Sequence, residues 1–71
     1  MSEDSLYKRI ELIGSSPNSW EDAVKMVVEK ASKTLRDLRV AEIDKLDVKI
    51  DNGKVVAFRA RVRLSFKYEK E

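Results

Sequence analysis

The side chains able to do chemistry here are few in kind. Histidine and cysteine are both absent. That removes imidazole and thiolate metal sites, Ser-His and Cys-His nucleophile pairs, and the commonest general base. What remains is charge. Glu42, Asp44, Asp47 and Asp51 crowd one stretch and offer oxygen ligands to a hard cation. No twelve-residue calcium loop surrounds them, so an ion held there would have to be shared between subunits. Arg59, Arg61, Arg63 and Lys67 recur at even spacing and would line one face of a strand. Such a row invites a nucleic-acid reading. The balance of 15 basic against 13 acidic residues, net +2, is too even for it. The adjacent strand would bring Glu42, Asp44 and Asp47 to the same side, so cross-strand ion pairs are expected instead. No serine, lysine or carboxylate sits in a recognisable catalytic setting, and "IGSSPNS" has too little glycine for a phosphate loop. The reading is a protein that is not an enzyme.

Seventy-one residues allow one domain. A chain this short buries about 60% of its unfolded surface and is marginal as a monomer. Disulfides are excluded by composition, which leaves oligomerisation or an oxygen-liganded cation as the stabilising device. No apolar run approaches a membrane span and no signal segment is present, so a soluble, cytoplasmic protein with no membrane partner is expected. The polar residues 1–5 read as a disordered N-terminus, and residues 6–69 as one domain.

The elements that must position these charges follow from periodicity. Leu6–Ile13 alternates and predicts a first strand; "GSSPNS" predicts a loop. Ser19 followed by Asp22 predicts a helix N-cap, with the Ser19 oxygen accepting from the amide at 22. Apolar positions 20, 23, 24, 27, 28, 31, 35 and 38 then define one stripe of an amphipathic helix, with Trp20 as a packing residue. At Arg39 the period becomes two. Ala41 and Ile43 are odd-numbered, whereas Leu46, Val48 and Ile50 are even, so a bulge or bend is predicted near Asp44–Lys45. Asp51-Asn52-Gly53 predicts a hairpin; the apolar pattern favours a three-residue loop pairing Val48 with Val56 and Leu46 with Phe58. Val56 to Tyr68 predicts the last strand, apolar on its even face. The order is β-α-β-β, an α+β fold. A three-stranded, mainly antiparallel sheet wraps one amphipathic helix. Long strands under one thin helical layer again point to a homo-oligomer.

The stretches "YKRIELIGSSPNSWEDAV", "KASKTLRDLRVAEI" and "DNGKVVAFRARVRLSFKYE" resemble the dodecin family across residues 6–69, in order and spacing. The resemblance implies a β-α-β-β subunit and a hollow shell of twelve copies, most members of which store or buffer flavins. In that family two tryptophans from two subunits sandwich stacked flavin rings. The stacking position falls on Val40 here, and the glutamate that follows it falls on Glu42. A glutamine that hydrogen-bonds the flavin falls on Arg59, and a basic residue near the flavin phosphate falls on Asp47. Valine offers no π face, and aromatic pairs contribute about 0.5–1.5 kcal/mol beyond their buried area. Arginine has no hydrogen-bond acceptor, and an aspartate repels phosphate. The four positions therefore read as a degenerate flavin site. Some dodecin-like proteins with an arginine-valine-alanine stretch here are associated with calcium instead of flavin, for which Glu42, Asp44 and Asp47 are the candidate ligands.

Three readings follow. One is a dodecameric shell holding a small ligand or ion, calcium included, other than a tightly sandwiched flavin. The second is a flavin binder for riboflavin, FMN or FAD with altered stacking. The third is a structural shell with no dedicated ligand.

Overall fold

The computed structural model describes residues 6–67. The frayed segment expected at residues 1–5, and the strand position expected at Tyr68, lie outside them. The elements run β1 (Tyr7–Ser16), α1 (Trp20–Ala31), β2 (Leu38–Asp51) and β3 (Lys54–Lys67). All three strands form one antiparallel sheet in the order β1-β3-β2. The β-α-β-β order and the single helix are as the sequence predicts.

β3 is the central strand, and its alternation decides the layers. Ala60, Val62 and Leu64 are fully buried on one side; Arg59, Arg61 and Arg63 occupy the other. The buried side meets Ala23, Val27 and Ala31, one residue per turn of α1. Small side chains let the helix lie close. The approach is tightest at Gly14 of β1, where an added Cβ would collide with Val27 Cγ2 and reach 2.8 Å from the Ala23 carbonyl oxygen. Among the described residues six make up this core, whereas eleven large apolar residues stay exposed. The molecule is also long: its radius of gyration is 15.0 Å, against about 11 Å for a compact domain of this length. Fourteen-residue strands span about 46 Å, and the twelve-residue helix about 18 Å. The helix covers less than half of its sheet.

Both ends of α1 are set locally. Ser19 is the N-cap, and its Oγ accepts from the Asp22 amide at 3.0 Å, as predicted. The Asp22 carboxylate accepts from buried Ser16 Oγ at 2.7 Å, and that oxygen accepts from the Asn18 amide at 2.9 Å. This need to bury and satisfy Ser16 explains one correction. β1 runs on through Gly14, Ser15 and Ser16, paired with Ala60, Arg59 and Phe58, where composition had predicted a loop. A second correction concerns the other end. The apolar stripe runs to Leu38, but the helix stops at Ala31. Leu35 and Leu38 still pack on the core, from a turn and from the start of β2. The reversal is made by Asp37 at φ 57°, a left-handed conformation that short polar side chains tolerate. Its carbonyl accepts from the Lys67 amide at 3.3 Å.

The hairpin corrects a third expectation. Asp51 pairs with Lys54, and Asn52 and Gly53 both have positive φ, 56° and 76°. That is a two-residue type I′ turn, not a three-residue loop. The extra residue sits one step later, at Val56, where the register shifts between Lys49 and Ile50. Val48 therefore pairs with Phe58 and Leu46 with Ala60. Apolar still faces apolar, as the pattern demands, but two residues away from the predicted partners.

Candidate functional site: the two sides of β2

The bulge predicted near Asp44–Lys45 is present, as a shift between Ile43 and Lys45. It sorts the residues of β2 onto two sides. Val40 lies opposite Ser65, Glu42 opposite Arg63 and Asp47 opposite Arg59. Paired residues share a side, so Val40, Glu42, Asp47 and Arg59 all lie on the sheet face turned away from α1. The chain brings Asp47 and Arg59 together. It does not bring Val40 and Glu42 to them: the β3 partners of Glu42 and Asp47, Arg63 and Arg59, are four residues apart, about 13 Å along a strand.

The open face is a ladder of ion pairs. Arg59 is bidentate on Asp47, with Nε donating to Oδ1 at 2.7 Å and Nη2 to Oδ2 at 2.9 Å. That hydrogen bond lowers the Asp47 carboxyl below its ordinary value; the Arg59 and Arg61 charges add to it, against a desolvation cost. The same bond raises the Arg59 guanidinium. The bulged Asp44 turns to this face and approaches Arg63 at 3.5 Å and Arg61 at 3.8 Å. Arg61 also meets Glu11 of β1 at 3.4 Å. Glu42 is reached at 3.8 Å by Arg9, which crosses β3 over the small Ser65. Nearby, Val40 is exposed at 57%.

Calcium takes six to eight oxygen ligands. Each of Glu42, Asp44 and Asp47 already faces an arginine, and among the described residues no three His, Cys, Asp or Glu side chains converge to hold a metal. One chain alone does not fit the ion.

The helix side of β2 differs. The bulge puts Ile43 and Leu46, three positions apart, on the same side. With Trp20 and Val24 they form an apolar groove of about 660 Å³, rimmed by Ser19, Glu21 and Lys25. Trp20 is 37% exposed, not part of the core as its place on the stripe implied. It packs edge-on against Phe58, with ring centroids 5.1 Å apart, and its Nε1–H donates to the Asp47 carbonyl at 2.9 Å. The donor satisfies a carbonyl of an edge strand. Sequence reasoning missed this groove. The signal was the phase slip itself, which keeps Ile43 and Leu46 on one side.

The dodecin family profile matches residues 6–69. The calcium dodecin of Mycobacterium tuberculosis is 38% identical over 63 residues, 89% of each chain. Its crystal structure, described as that of a calcium-chelating antigen with a novel calcium-binding site, superposes with a TM-score of 0.81 over 92% of this chain and 93% of that one. The dodecin of Streptomyces coelicolor superposes with a TM-score of 0.91 at 30% identity, over 99% of this chain and 100% of that one. No helix among the described residues is long and apolar enough to cross a membrane. Sequence match, fold and strand order agree, and the chain belongs to the dodecin family.

Proposed function

We propose that this chain is the subunit of a hollow dodecin-type homo-oligomer, twelve copies in the family's arrangement. It binds a small ligand or ion between subunits, performs no catalysis, and does not sandwich flavin tightly. The observation that carries the reading is Val40, exposed on the open sheet face at the position matching the family's stacking tryptophan. Arg59 and Asp47, which match two further flavin contacts, are spent on one another in a bidentate pair. Arg59 offers a flavin ring no acceptor, and its charge is matched by Asp47, which itself repels a phosphate. The calcium-chelating relative supports an ion as the ligand class, with the missing oxygens supplied by a neighbouring subunit.

Two titrations of the purified oligomer test this. Riboflavin and FMN should leave protein and flavin fluorescence nearly unchanged. Calcium should bind to the assembled protein with a saturating heat signal in calorimetry. A yellow protein as purified, or stoichiometric quenching of added flavin, overturns the reading in favour of a flavin store with altered stacking. Binding of neither leaves the structural shell.

A further inference from the structure

The chain holds two asparagines, Asn18 and Asn52, and no glutamine. Asparagine is a labile side chain. Its carboxamide carbon lies within reach of the next residue's amide nitrogen, and the two can close a five-membered imide. A Cβ on that next residue is the chief obstruction. Asn52 is followed by Gly53, which has none, and Asn18 by Ser19. The two sites also differ in how they are held. The Asn18 amide donates to buried Ser16 Oγ at 2.9 Å, and Ser19 is the extended N-cap of α1. Among the described residues, neither the Asn52 carboxamide nor the Gly53 amide has a hydrogen bond to break. All four residues of the turn, 51–54, are exposed, and no atom lies within 4 Å of where a Gly53 Cβ would stand.

The turn geometry favours closure. Asn52 has φ 56° and Gly53 φ 76°, the type I′ pattern. To bring the Gly53 nitrogen onto the Asn52 side chain, the peptide plane between the two residues must flip. That flip turns type I′ into type II′, which keeps φ positive at the first central residue and not at the second. Asn52 thus keeps its sign of φ, and glycine accepts either sign at little cost. Both turn types match the twist of a hairpin, so β2 and β3 need not move.

We propose that Asn52 is a self-modification site, at which the folded protein deamidates through a cyclic imide. The Gly53 nitrogen attacks Asn52 Cγ. The N–Cγ bond forms, the Cγ–Nδ2 bond breaks, and the amide group leaves as ammonia with the proton lost by Gly53. Water then opens the imide at one of its two carbonyls. Opening at Cγ gives aspartate. Opening at the main-chain carbonyl gives isoaspartate, with the backbone running through the side-chain carbon. One water enters and one ammonia leaves; no oxidant, metal or second protein takes part. Either product sets a second carboxylate beside Asp51. Isoaspartate also adds a backbone atom to a turn that holds Asp51 against Lys54, so it should loosen the neighbouring Ile50–Val55 pair.

Peptide mapping of the parent protein tests this without any variant. The purified protein is held at mildly alkaline pH and physiological temperature, once under native conditions and once unfolded in guanidinium chloride. Trypsin cuts after Lys49 and Lys54, which isolates Asn52, and after Arg9 and Lys25, which isolates Asn18. In the native sample the Ile50–Lys54 peptide should gain the mass of an amide-to-acid conversion several-fold faster than the Asn18 peptide. It should also split into two chromatographic species, aspartate and isoaspartate. Conversion confined to the unfolded sample overturns the proposal, as does a native rate at Asn52 no greater than that at Asn18. Aspartate without isoaspartate overturns it too, because direct hydrolysis by water gives that product alone.

Discussion

The two sides of β2 carry similar numbers of side chains and opposite kinds of completeness. On the open face every acid of the strand core has its arginine within the same chain: Glu42 with Arg9, Asp44 with Arg61 and Arg63, Asp47 with Arg59. On the helix side Ile43, Leu46 and Ile50 have no such partner and remain about half exposed or more. Charges in water gain little from pairing and lose little from waiting. Apolar area left in water forfeits about 25 cal/mol for each Å² not buried. The face that looks richest in chemistry is therefore the one that a single chain already satisfies. The plain aliphatic face is the one that requires something further.

The largest effect should come from comparing the sides at one point of the central strand. Leu64 is 1% exposed and Ser65, its neighbour, sits on the open face. Leu64→Ala should cost about 2–5 kcal/mol, as lost transfer energy plus an unfilled cavity beneath α1. Ser65→Ala should stay within about 0.5 kcal/mol. Urea unfolding at one fixed protein concentration measures both, the fixed concentration being needed because assembly adds to apparent stability. Equal midpoints for the two variants would break the two-sided account.

What the sequence made legible was the sorting of side chains by side. Strict alternation from Val56 onwards placed Arg59, Arg61 and Arg63 opposite the core, and the slip between Ile43 and Leu46 located the bulge. What it hid were decisions made by tertiary contacts. Leu35 and Leu38 keep helical spacing but reach the core from a turn, because Asp37 adopts a left-handed conformation that no Gly announces. Ser15 and Ser16 have loop composition, yet pairing with Arg59 and Phe58 holds them in β1. A bulge at Val56 restores the hairpin register that a two-residue turn alone would have broken. The site residues were legible one by one, but not their separation, since sequence matching does not report distance within one chain.

That separation sharpens the next prediction. Val40→Trp should raise flavin affinity by about 1–3 kcal/mol, the scale of one aromatic stack on a base. Aromatic residues suit strands, and position 40 is open enough to accept the ring. Arg59→Gln should add to the gain by freeing the position of a bidentate arginine. The family resemblance places both positions in one flavin site. In one chain they stand opposite Ser65 and Asp47 respectively, about 20 Å apart along β3. Their effects should add unless a subunit interface brings them together. Riboflavin titrations of the parent, both single variants and the double variant read this directly. Additivity argues for separate sites, and coupling for one site shared across an interface. No gain from Val40→Trp in an intact oligomer would remove position 40 from flavin stacking altogether.

A smaller effect should follow where the two sides meet. Trp20 donates to the backbone of Asp47 from the helix side, while the Asp47 carboxylate holds Arg59 on the other. Trp20→Phe keeps an aromatic ring near Phe58 but deletes the donor. The loss should be about 0.5–1.5 kcal/mol, the net value of one hydrogen bond. Hydrogen exchange of the β2 amides around Asp47 should accelerate selectively. Uniform acceleration across β1 and β3 would mean that Trp20 supports the whole core instead of one strand edge.

The smallest effect concerns acid. Asp47 has its carboxyl held below the ordinary 3.8 by the hydrogen bond from Arg59. A carboxyl depressed in the folded state stabilises the fold above its unfolded value, near 3.9. That contribution is lost as pH falls through the lower folded value, so the window lies below about pH 4. The Arg59 guanidinium is raised further by the same hydrogen bond, so it stays charged throughout and adds no slope of its own. Asp47→Asn should flatten the fall in stability on acidification below pH 4 and leave the behaviour at neutral pH almost unchanged. The difference should shrink in high salt, because the pair is exposed and its attraction is screened. If Asp47→Asn and the parent lose stability in parallel down to pH 2, the Asp47–Arg59 pair is a contact without consequence, and the completeness of the open face rests on Asp44 and its two arginines instead.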